Sequence, residues 1–197
     1  MHSTATRSYE PKPFSASDRY VSALMSREGS ATVDRTIGAL RESYGQFPVG
    51  EERTVVARPD YLDCVRIAGE DRLGGARALI RRDGRVLLAR RADSPTTWGL
   101  PGGSLGRFET HEQAAKRHVA DQVDVEFEVT AVLHARRYTF SLVDGGGGPD
   151  GLWVCFEGRS ATADVEAGGD VLEVRWFDDP PSDVSPAVHD RLGIATD

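Results

Sequence analysis

The sequence is poor in lysine and cysteine and has no long apolar run. Two of its 24 basic residues are lysines, and its two cysteines, Cys64 and Cys155, lie far apart and in no metal-ligand spacing. This pattern favours two reduced, buried thiols over a disulfide. No stretch approaches the ~20 apolar residues that a membrane-spanning helix needs. The first residues also lack the apolar core of a signal peptide, so we predict a cytoplasmic protein.

Acidic residues outnumber basic ones by 31 to 24, which gives a net charge of -7 at pH 7. A broad basic surface for nucleic acid is therefore not expected. The acids are 18 aspartates and 13 glutamates, and the bases are almost all arginines. This composition resembles that of proteins from salt-loving organisms, so we carry a halophile origin as a hypothesis. Codon bias alone is the alternative explanation.

A length of 197 residues suits one core domain with an attached segment. We predict a flexible tail over 1–16, a helical extension over 17–73 and the core domain over 74–197. Two short helices are expected in the extension, the second with Ser30 as its N-cap and Gly45 as its end. We predict that this pair packs on the core, because amphipathic helices usually bury one face. A lid or a dimerisation arm is the alternative.

The core domain has the pattern of strands combined with helices. Asp83-Gly84 joins two apolar-rich runs and suits the positive φ angles of a tight turn, which predicts a β-hairpin. Further strands are expected over 130–144, 152–160 and 171–179, and a closing helix over 185–194. The segment 53–69 is ambiguous between strand and helix. This order of elements indicates an α+β fold with a mixed sheet.

A double glycine and a helix start lie close together in the middle of the chain. Gly102 and Gly103 allow the backbone to turn tightly and to approach a ligand or a metal closely. Thr110 is followed three residues later by Gln113, which is the spacing of a capping box, so a helix should begin near His111.

Three polar residues follow on this helix. His118, Asp121 and Gln122 stand at i, i+3 and i+4, so their side chains should project from one side of the helix. Next to a glycine-rich turn, such a group can hold a hard cation and, through it, phosphate oxygens. A lone histidine at such a position is as often a satisfied surface residue as a ligand.

The same stretch resembles the Nudix box of the Nudix hydrolase family. That pattern is Gly, five residues, Glu, seven residues, then Arg-Glu-apolar-any-Glu-Glu-any-Gly-apolar. The residues in register are Gly103, Glu109, Arg117, Val119 and Val125. The flanking "WGLPGG" and "EVRWF" are typical accompaniments, and the resemblance covers about residues 74–195. It implies a Nudix-type α/β/α sandwich around a mixed sheet, a nucleotide-like ligand and, as often in the family, a homodimer.

The departures from the box fall on its metal ligands. The resemblance places three acidic metal-binding residues where this chain has His118, Asp121 and Gln122, and Asp124 replaces the last glycine. One of three carboxylates is therefore left. A glutamine oxygen is neutral, and a histidine nitrogen suits Mn²⁺ or Zn²⁺ better than Mg²⁺. The resemblance implies a divalent cofactor, Mg²⁺ or Mn²⁺, and the substitutions weaken its site.

The resemblance also assigns roles to the remaining site residues. The predicted catalytic residues are Glu109, Arg117, His118 and Asp121. The predicted metal ligands are Asp121, Gln122, His118 and Glu109.

Substrate contacts are predicted for four residues. Gly102 and Gly103 offer a close backbone approach, and the guanidinium groups of Arg136 and Arg137 match phosphate oxygens. Core packing competes with base stacking as the role of Trp98, Phe108 and Tyr138.

Two functions follow from these observations. The first is metal-dependent hydrolysis of a nucleoside diphosphate-linked compound at an altered metal site. The second is a Nudix-like domain that binds a nucleotide or nucleotide-sugar without turnover, as a sensor or partner module. The family resemblance favours the first, and the depleted set of carboxylates favours the second.

Overall fold

The computed structural model of the chain describes residues 16–143, 147–185 and 188. Its helices are α1 Ala16–Tyr44, α2 Arg58–Ala68 and α3 His111–Val123. Its strands are β1 Val49–Val55, β2 Gly74–Arg82, β3 Arg85–Arg91, β4 Ser94–Gly99, β5 Gly102–Ser104, β6 Glu128–Ser141, β7 Asp150–Arg159 and β8 Val171–Phe177.

The strands form one mixed sheet in the order β1-β6-β7-β2-β3-β4, with β5 paired to β2 and β8 paired to β3. The pairs β1–β6 and β2–β7 are parallel, and the other pairs are antiparallel. Strand β2 therefore lies between β7 and β3 and also carries the short strand β5. The predicted α+β fold with a mixed sheet is confirmed.

The β2–β3 hairpin turns at the predicted dipeptide. Asp83 and Gly84 have φ angles of 50° and 84°, the left-handed conformation that this two-residue turn requires. The strands expected over 130–144, 152–160 and 171–179 are present as β6, β7 and β8, with ends that differ by a few residues. Local turn chemistry and apolar runs were sufficient to locate these elements.

Strand β2 separates two apolar clusters, because successive side chains of a strand point to opposite faces. Ala76, Ala78 and Ile80 belong to the cluster that packs under α1 and α3. Leu79 belongs to the cluster on the other face. That second cluster also contains Leu88, Trp98, Cys155, Val184 and Val188. The sheet is thus buried on both faces near its centre.

The N-terminal part forms one helix where two were predicted. Helix α1 runs without a break from Ala16 to Tyr44, so Ser30 lies inside it and is not an N-cap. Glycine inside a helix costs about 1 kcal/mol. Here Gly29 packs against β7, where an added Cβ would lie 3.3 Å from the amide nitrogen of Asp150. This tertiary contact explains why the helix continues. Gly45, with φ of 78°, follows the last residue of α1, as predicted.

Helix α1 packs on the core through apolar and polar contacts. Val33 and Ile37 are buried in the cluster that also contains α3 residues. The hydroxyl of Tyr44 donates to Glu112 Oε2 at 2.5 Å, and burial, then this carboxylate, raises the pKa of Tyr44 to about 12. The helix therefore contacts the first turn of α3. None of the described helices is long and apolar enough to span a membrane.

A buried carboxylate at the start of β7 also connects α1 to the sheet. Asp150 is 7% exposed and accepts hydrogen bonds from Ser30 Oγ and Thr139 Oγ1, both at 2.6 Å. Arg137 lies 3.9 Å from the same carboxylate and pairs with Asp34 of α1. Two strands and a helix thus meet around one buried charge.

The predicted domain boundaries stay predictions. The segment 17–73, expected to be helical, also contains strand β1 inside the common sheet. The ambiguous segment 53–69 holds the end of β1 and all of α2. The predicted tail lies outside the described residues except for Ala16, and so does most of the predicted closing helix over 185–194.

We expect Asp150→Ala to lower the free energy of unfolding by about 2–4 kcal/mol, because it leaves the half-buried hydroxyls of Ser30 and Thr139 without their acceptor and removes a buried carboxylate beside Arg137. Asp34→Ala is the matched control, since Asp34 contacts the same arginine but has a side chain 65% exposed. Its cost should stay below about 1 kcal/mol. Urea unfolding followed by circular dichroism measures both values. Equal costs for the two variants would contradict this account of the buried carboxylate.

Candidate functional site

Capping residues fix both ends of helix α3, Thr110 before its start and Asp124 after its end. Thr110 Oγ1 accepts from the Gln113 amide at 3.2 Å, and Gln113 Oε1 accepts from the Thr110 amide at 2.9 Å, which confirms the predicted capping box. Asp124 follows the helix with φ of 51° in the left-handed conformation. Aspartate tolerates this conformation better than most residues, so the position that is glycine in the box keeps a suitable geometry.

Gln122 is joined to the backbone of Gly102 in both directions. The Gly102 amide donates to Gln122 Oε1 at 2.9 Å, and Gln122 Nε2 donates to the Gly102 carbonyl at 3.2 Å. The side chain is buried, with 5% exposure. An ionised carboxylate here could accept but not donate, and it would face the Gly102 carbonyl. The amide is therefore the side chain that satisfies both backbone groups.

The Gly102 carbonyl accepts a second hydrogen bond, from Arg91. Arg91 Nη1 lies 2.8 Å from this oxygen, and Arg91 Nη2 pairs with Asp170 Oδ2 at 2.6 Å. A carbonyl oxygen has two lone pairs, and both now face N–H donors. A guanidinium group thus lies beside the double glycine.

Glu109 and Arg117 form a two-pronged ion pair. Arg117 Nε lies 2.7 Å from Glu109 Oε1, and Arg117 Nη2 lies 2.7 Å from Glu109 Oε2. The Gly106 amide also donates to Glu109 Oε2 at 2.7 Å. Hydrogen bonding to Arg117 holds the pKa of Glu109 below its ordinary value. The carboxylate therefore closes the loop before α3, and its lone pairs are largely occupied by these donors.

His118 packs against the double glycine and uses one ring nitrogen. Its Nε2 lies 2.9 Å from the Ser104 carbonyl and 3.3 Å from Arg117 Nη2, and because the carbonyl is nearer and can only accept, we assign the proton to Nε2. An added Cβ on Gly103 would lie 2.5 Å from His118 Cε1. Gly103 therefore makes room for the half-buried imidazole ring beside β5. This use of the glycine differs from the predicted approach to a ligand.

The three polar residues of α3 converge in part. His118 and Gln122 both contact β5, as their spacing predicted, whereas Asp121 is exposed to solvent. Among the residues that the structure describes, no group of three or more His, Cys, Asp or Glu side chains is close enough to hold a metal ion. Two acids outside the box are also paired, Asp170 with Arg91 and Glu173 with Arg90.

This donor set does not fit a Mg²⁺ cluster of the kind the family implies. Mg²⁺ requires several oxygen ligands in near-octahedral geometry. The side-chain oxygens of Gln122 and Glu109 already accept hydrogen bonds from backbone amides and from Arg117. His118 Nε2 faces a carbonyl. Asp121 is the box carboxylate that stays exposed. We therefore derive no step through a bound metal.

A cleft of about 660 Å³ opens beside this region. Its charged lining residues are Arg77, Arg91 and Asp93, and it also contains several hydroxyl groups and His118. The lining thus carries more positive than negative formal charge on a chain whose net charge is -7. A cleft with this balance of charge favours an anionic ligand.

Two predicted substrate residues lie elsewhere on the sheet. Arg136 pairs with Glu52 at 3.2 Å, and Arg137 pairs with Asp34 of α1. Neither lines the cleft, whereas Gly102 and Gly103 do. A substrate role for the two arginines stays a prediction.

Trp153, which is not among the predicted site residues, lines the cleft. Trp153 lies on β7 between the buried residues Leu152 and Val154, so alternation places it on the other face of the sheet. Trp98, by contrast, is buried and contacts Phe177 edge to face. The alternation along β7 was the available signal for Trp153.

The sequence profile of the NUDIX domain matches residues 72–187. The chain belongs to the Nudix family. A MutT-like protein of Streptomyces ambofaciens is 44% identical over 68 residues, which are 34% of this chain and 38% of that protein. The match thus spans well under half of the curated relative. The Nudix fold expected from the box is confirmed.

Solved Nudix structures resemble the chain more distantly. A Nudix hydrolase from Nitrosomonas europaea is 24% identical, with a TM-score of 0.49 over 61% of this chain and 68% of that one. A MutT Nudix hydrolase from Burkholderia pseudomallei is also 24% identical, with a TM-score of 0.44 over 63% and 98% of the two chains. Helix α1 and strand β1 precede the residues that match the Nudix profile.

We expect Gln122→Glu, which places a carboxylate at a box position, to destabilise this Nudix domain by about 2–4 kcal/mol. The carboxylate cannot donate to the Gly102 carbonyl and is buried beside it. Asp121→Glu is the control on the exposed side of the same turn and should change stability by less than about 0.5 kcal/mol. Chemical denaturation at pH 7.5 gives both values. If Gln122→Glu leaves the free energy of unfolding unchanged, the two-way hydrogen bonding of Gln122 to Gly102 is contradicted.

The buried side chain of His111 should make the stability of the protein depend on pH. It is buried, its ring nitrogen Nε2 lies 3.0 Å from the Leu152 carbonyl, and burial lowers its pKa. The unfolded chain therefore binds more protons than the folded one below about pH 6.5, so stability falls as the pH drops through that range. His111→Gln keeps a donor but does not titrate. Unfolding free energies at pH 7.5, 6.5, 5.5 and 5.0 should fall less steeply for this variant, and an unchanged slope contradicts the assignment.

Proposed function

We propose that this Nudix domain binds a phosphate-bearing, nucleotide-like molecule in the cleft and does not hydrolyse it with a metal. The observation that carries the proposal is the Gly102 carbonyl, which accepts from both Gln122 and Arg91. N–H donors and a guanidinium group thus occupy the side of the box where the family has acidic residues. The positive charge of the guanidinium group repels a divalent cation and attracts phosphate oxygens.

Without the two missing box carboxylates, this chain lacks negatively charged ligands that a divalent metal ion would need. A bound metal ion in a hydrolase activates water and neutralises the charge that develops on phosphate. In this chain the Glu109 carboxylate accepts hydrogen bonds from Arg117 and from the Gly106 amide, and the His118 ring donates to the Ser104 carbonyl. These contacts support a structural role for both side chains. They order the loop before α3 and strand β5, and β5 lines the cleft.

Metal-dependent hydrolysis is the second candidate function, and one residue favours it. Asp121 keeps a carboxylate at a box position and is exposed to solvent. Together with Mn²⁺, which accepts nitrogen ligands more readily than Mg²⁺ does, it would support the altered metal site that the sequence suggested. A cytoplasmic location, a homodimer and a halophile origin also stay predictions.

Binding in the absence of metal tests the proposal. The full chain is titrated calorimetrically with ADP-ribose, NADH, a nucleoside triphosphate and a dinucleoside polyphosphate, first with EDTA and then with Mg²⁺ or Mn²⁺. We expect at least one compound to bind with EDTA present, with an affinity that metal changes less than threefold. Hydrolysis of the same panel, followed by chromatography of the nucleoside monophosphate products, should not exceed that in buffer.

Two results would overturn the proposal. Formation of nucleoside monophosphate with Mn²⁺ that disappears in Asp121→Ala would establish the hydrolase. Failure of every compound to bind, with or without metal, would remove the nucleotide-like ligand altogether. Asp164→Ala, a change of an exposed acid outside the box, serves as the control for nonspecific effects.

A further inference from the structure

Arg77 presents a guanidinium group at the cleft. It lies on β2 between Ala76 and Ala78, which are fully buried, so its side chain leaves the sheet on the opposite face. In the sheet it is paired with Gly102 of the double glycine. An added Cβ on Gly102 would lie 2.9 Å from Arg77 Cγ. The double glycine therefore packs directly on the backbone and stem of this arginine.

Arg77 differs from the other arginines of this region in its charge partners. Arg91 pairs with Asp170, Arg117 with Glu109, and Arg81 with Glu157. Within the described parts of the chain, Arg77 has no carboxylate at ion-pair distance. The chain has 31 acidic and 24 basic residues, so acids are in excess. A positive charge without an acidic neighbour at the cleft is available to an anionic ligand.

Trp153 holds the Arg77 side chain in place. The guanidinium carbon lies 5.3 Å from the centre of the Trp153 ring, which is the geometry of a cation–π contact. The ring reaches across β2 because residue 75 is glycine, since an added Cβ there would lie 2.7 Å from two atoms of the indole. An arginine stacked in this way loses less conformational freedom when it binds a ligand.

The geometry points to Arg77 as the residue that binds a phosphoryl group of the ligand, with Trp153 as the residue that positions it. This inference rests on the proposed function, because it concerns the same cleft. A planar guanidinium can donate two parallel hydrogen bonds to a phosphate, and these charge-assisted bonds are about twice as strong as neutral ones. Neighbouring hydroxyls, including that of Ser104, can supply further donors. The ligand class is therefore a phosphate ester or diphosphate, and neutral nucleosides are excluded as good ligands.

Variants of Arg77 test this assignment in the full chain, with EDTA present and at low salt. The probes are ADP-ribose and inorganic pyrophosphate, with adenosine as the ligand without phosphate. We expect Arg77→Gln to weaken binding of both phosphorylated probes by about 10- to 100-fold. Adenosine should bind weakly and equally to the variant and the natural protein. Arg77→Lys should bind the phosphorylated probes more weakly than the natural protein and more tightly than Arg77→Gln, because lysine keeps the charge but loses the two-pronged geometry.

Arg81→Gln is the matched control, since Arg81 lies four residues along β2 on the same face and pairs with Glu157. It should leave binding within twofold, and thermal unfolding of both variants checks that each is folded. Equal binding of phosphorylated probes by the natural protein and Arg77→Gln would overturn the Arg77 assignment alone. If the natural protein binds neither these probes nor any compound of the wider panel, the proposed function falls, and the assignment falls with it.

Discussion

The two-way hydrogen bond between Gln122 and Gly102 determines the arrangement of the site. It joins α3 to β5 across 20 residues of chain and satisfies both backbone groups of a buried glycine. With β5 held in this position, Gly103 packs against the His118 ring, and Arg91 reaches the Gly102 carbonyl. A buried amide that both donates and accepts in this way is costly to replace, because each backbone group left unpaired would lose its hydrogen bond without gaining one from water.

The same contact changes the electrical character of the Nudix box. Where the family has three carboxylates that attract cations, this chain has an amide, an imidazole and the exposed carboxylate of Asp121, with a guanidinium group nearby. The acids that remain close by are mostly bound to arginines, as Glu109 is to Arg117 and Asp170 is to Arg91. Because the opposite charges of these ion pairs cancel locally, the net charge of the cleft depends on the few charged side chains that have no such partner. Arg77 is the cation among them that has a fixed position.

The N-terminal helix is built into this framework. Tyr44 of α1 donates to Glu112 in the first turn of α3, and Ser30 donates to the buried carboxylate of Asp150 on β7. Apolar residues of α1 share one cluster with α3 and the sheet. The helix that carries the box is therefore supported from two sides, by β5 through Gln122 and by α1 through Glu112. A rigid support of this kind favours a preformed cleft.

Local signals in the sequence determined the elements that depend on near neighbours. Asp83-Gly84 was sufficient for the hairpin, Thr110 and Gln113 for the start of α3, and the spacing of the box for the family, because each involves backbone angles or contacts within a few residues. Tertiary structure decided the rest. Helix α1 passes Gly29 because β7 supports it, and Gln122 finds its partner 20 residues away. These outcomes depend on which distant groups come into contact, and that is set only when the sheet and helices pack.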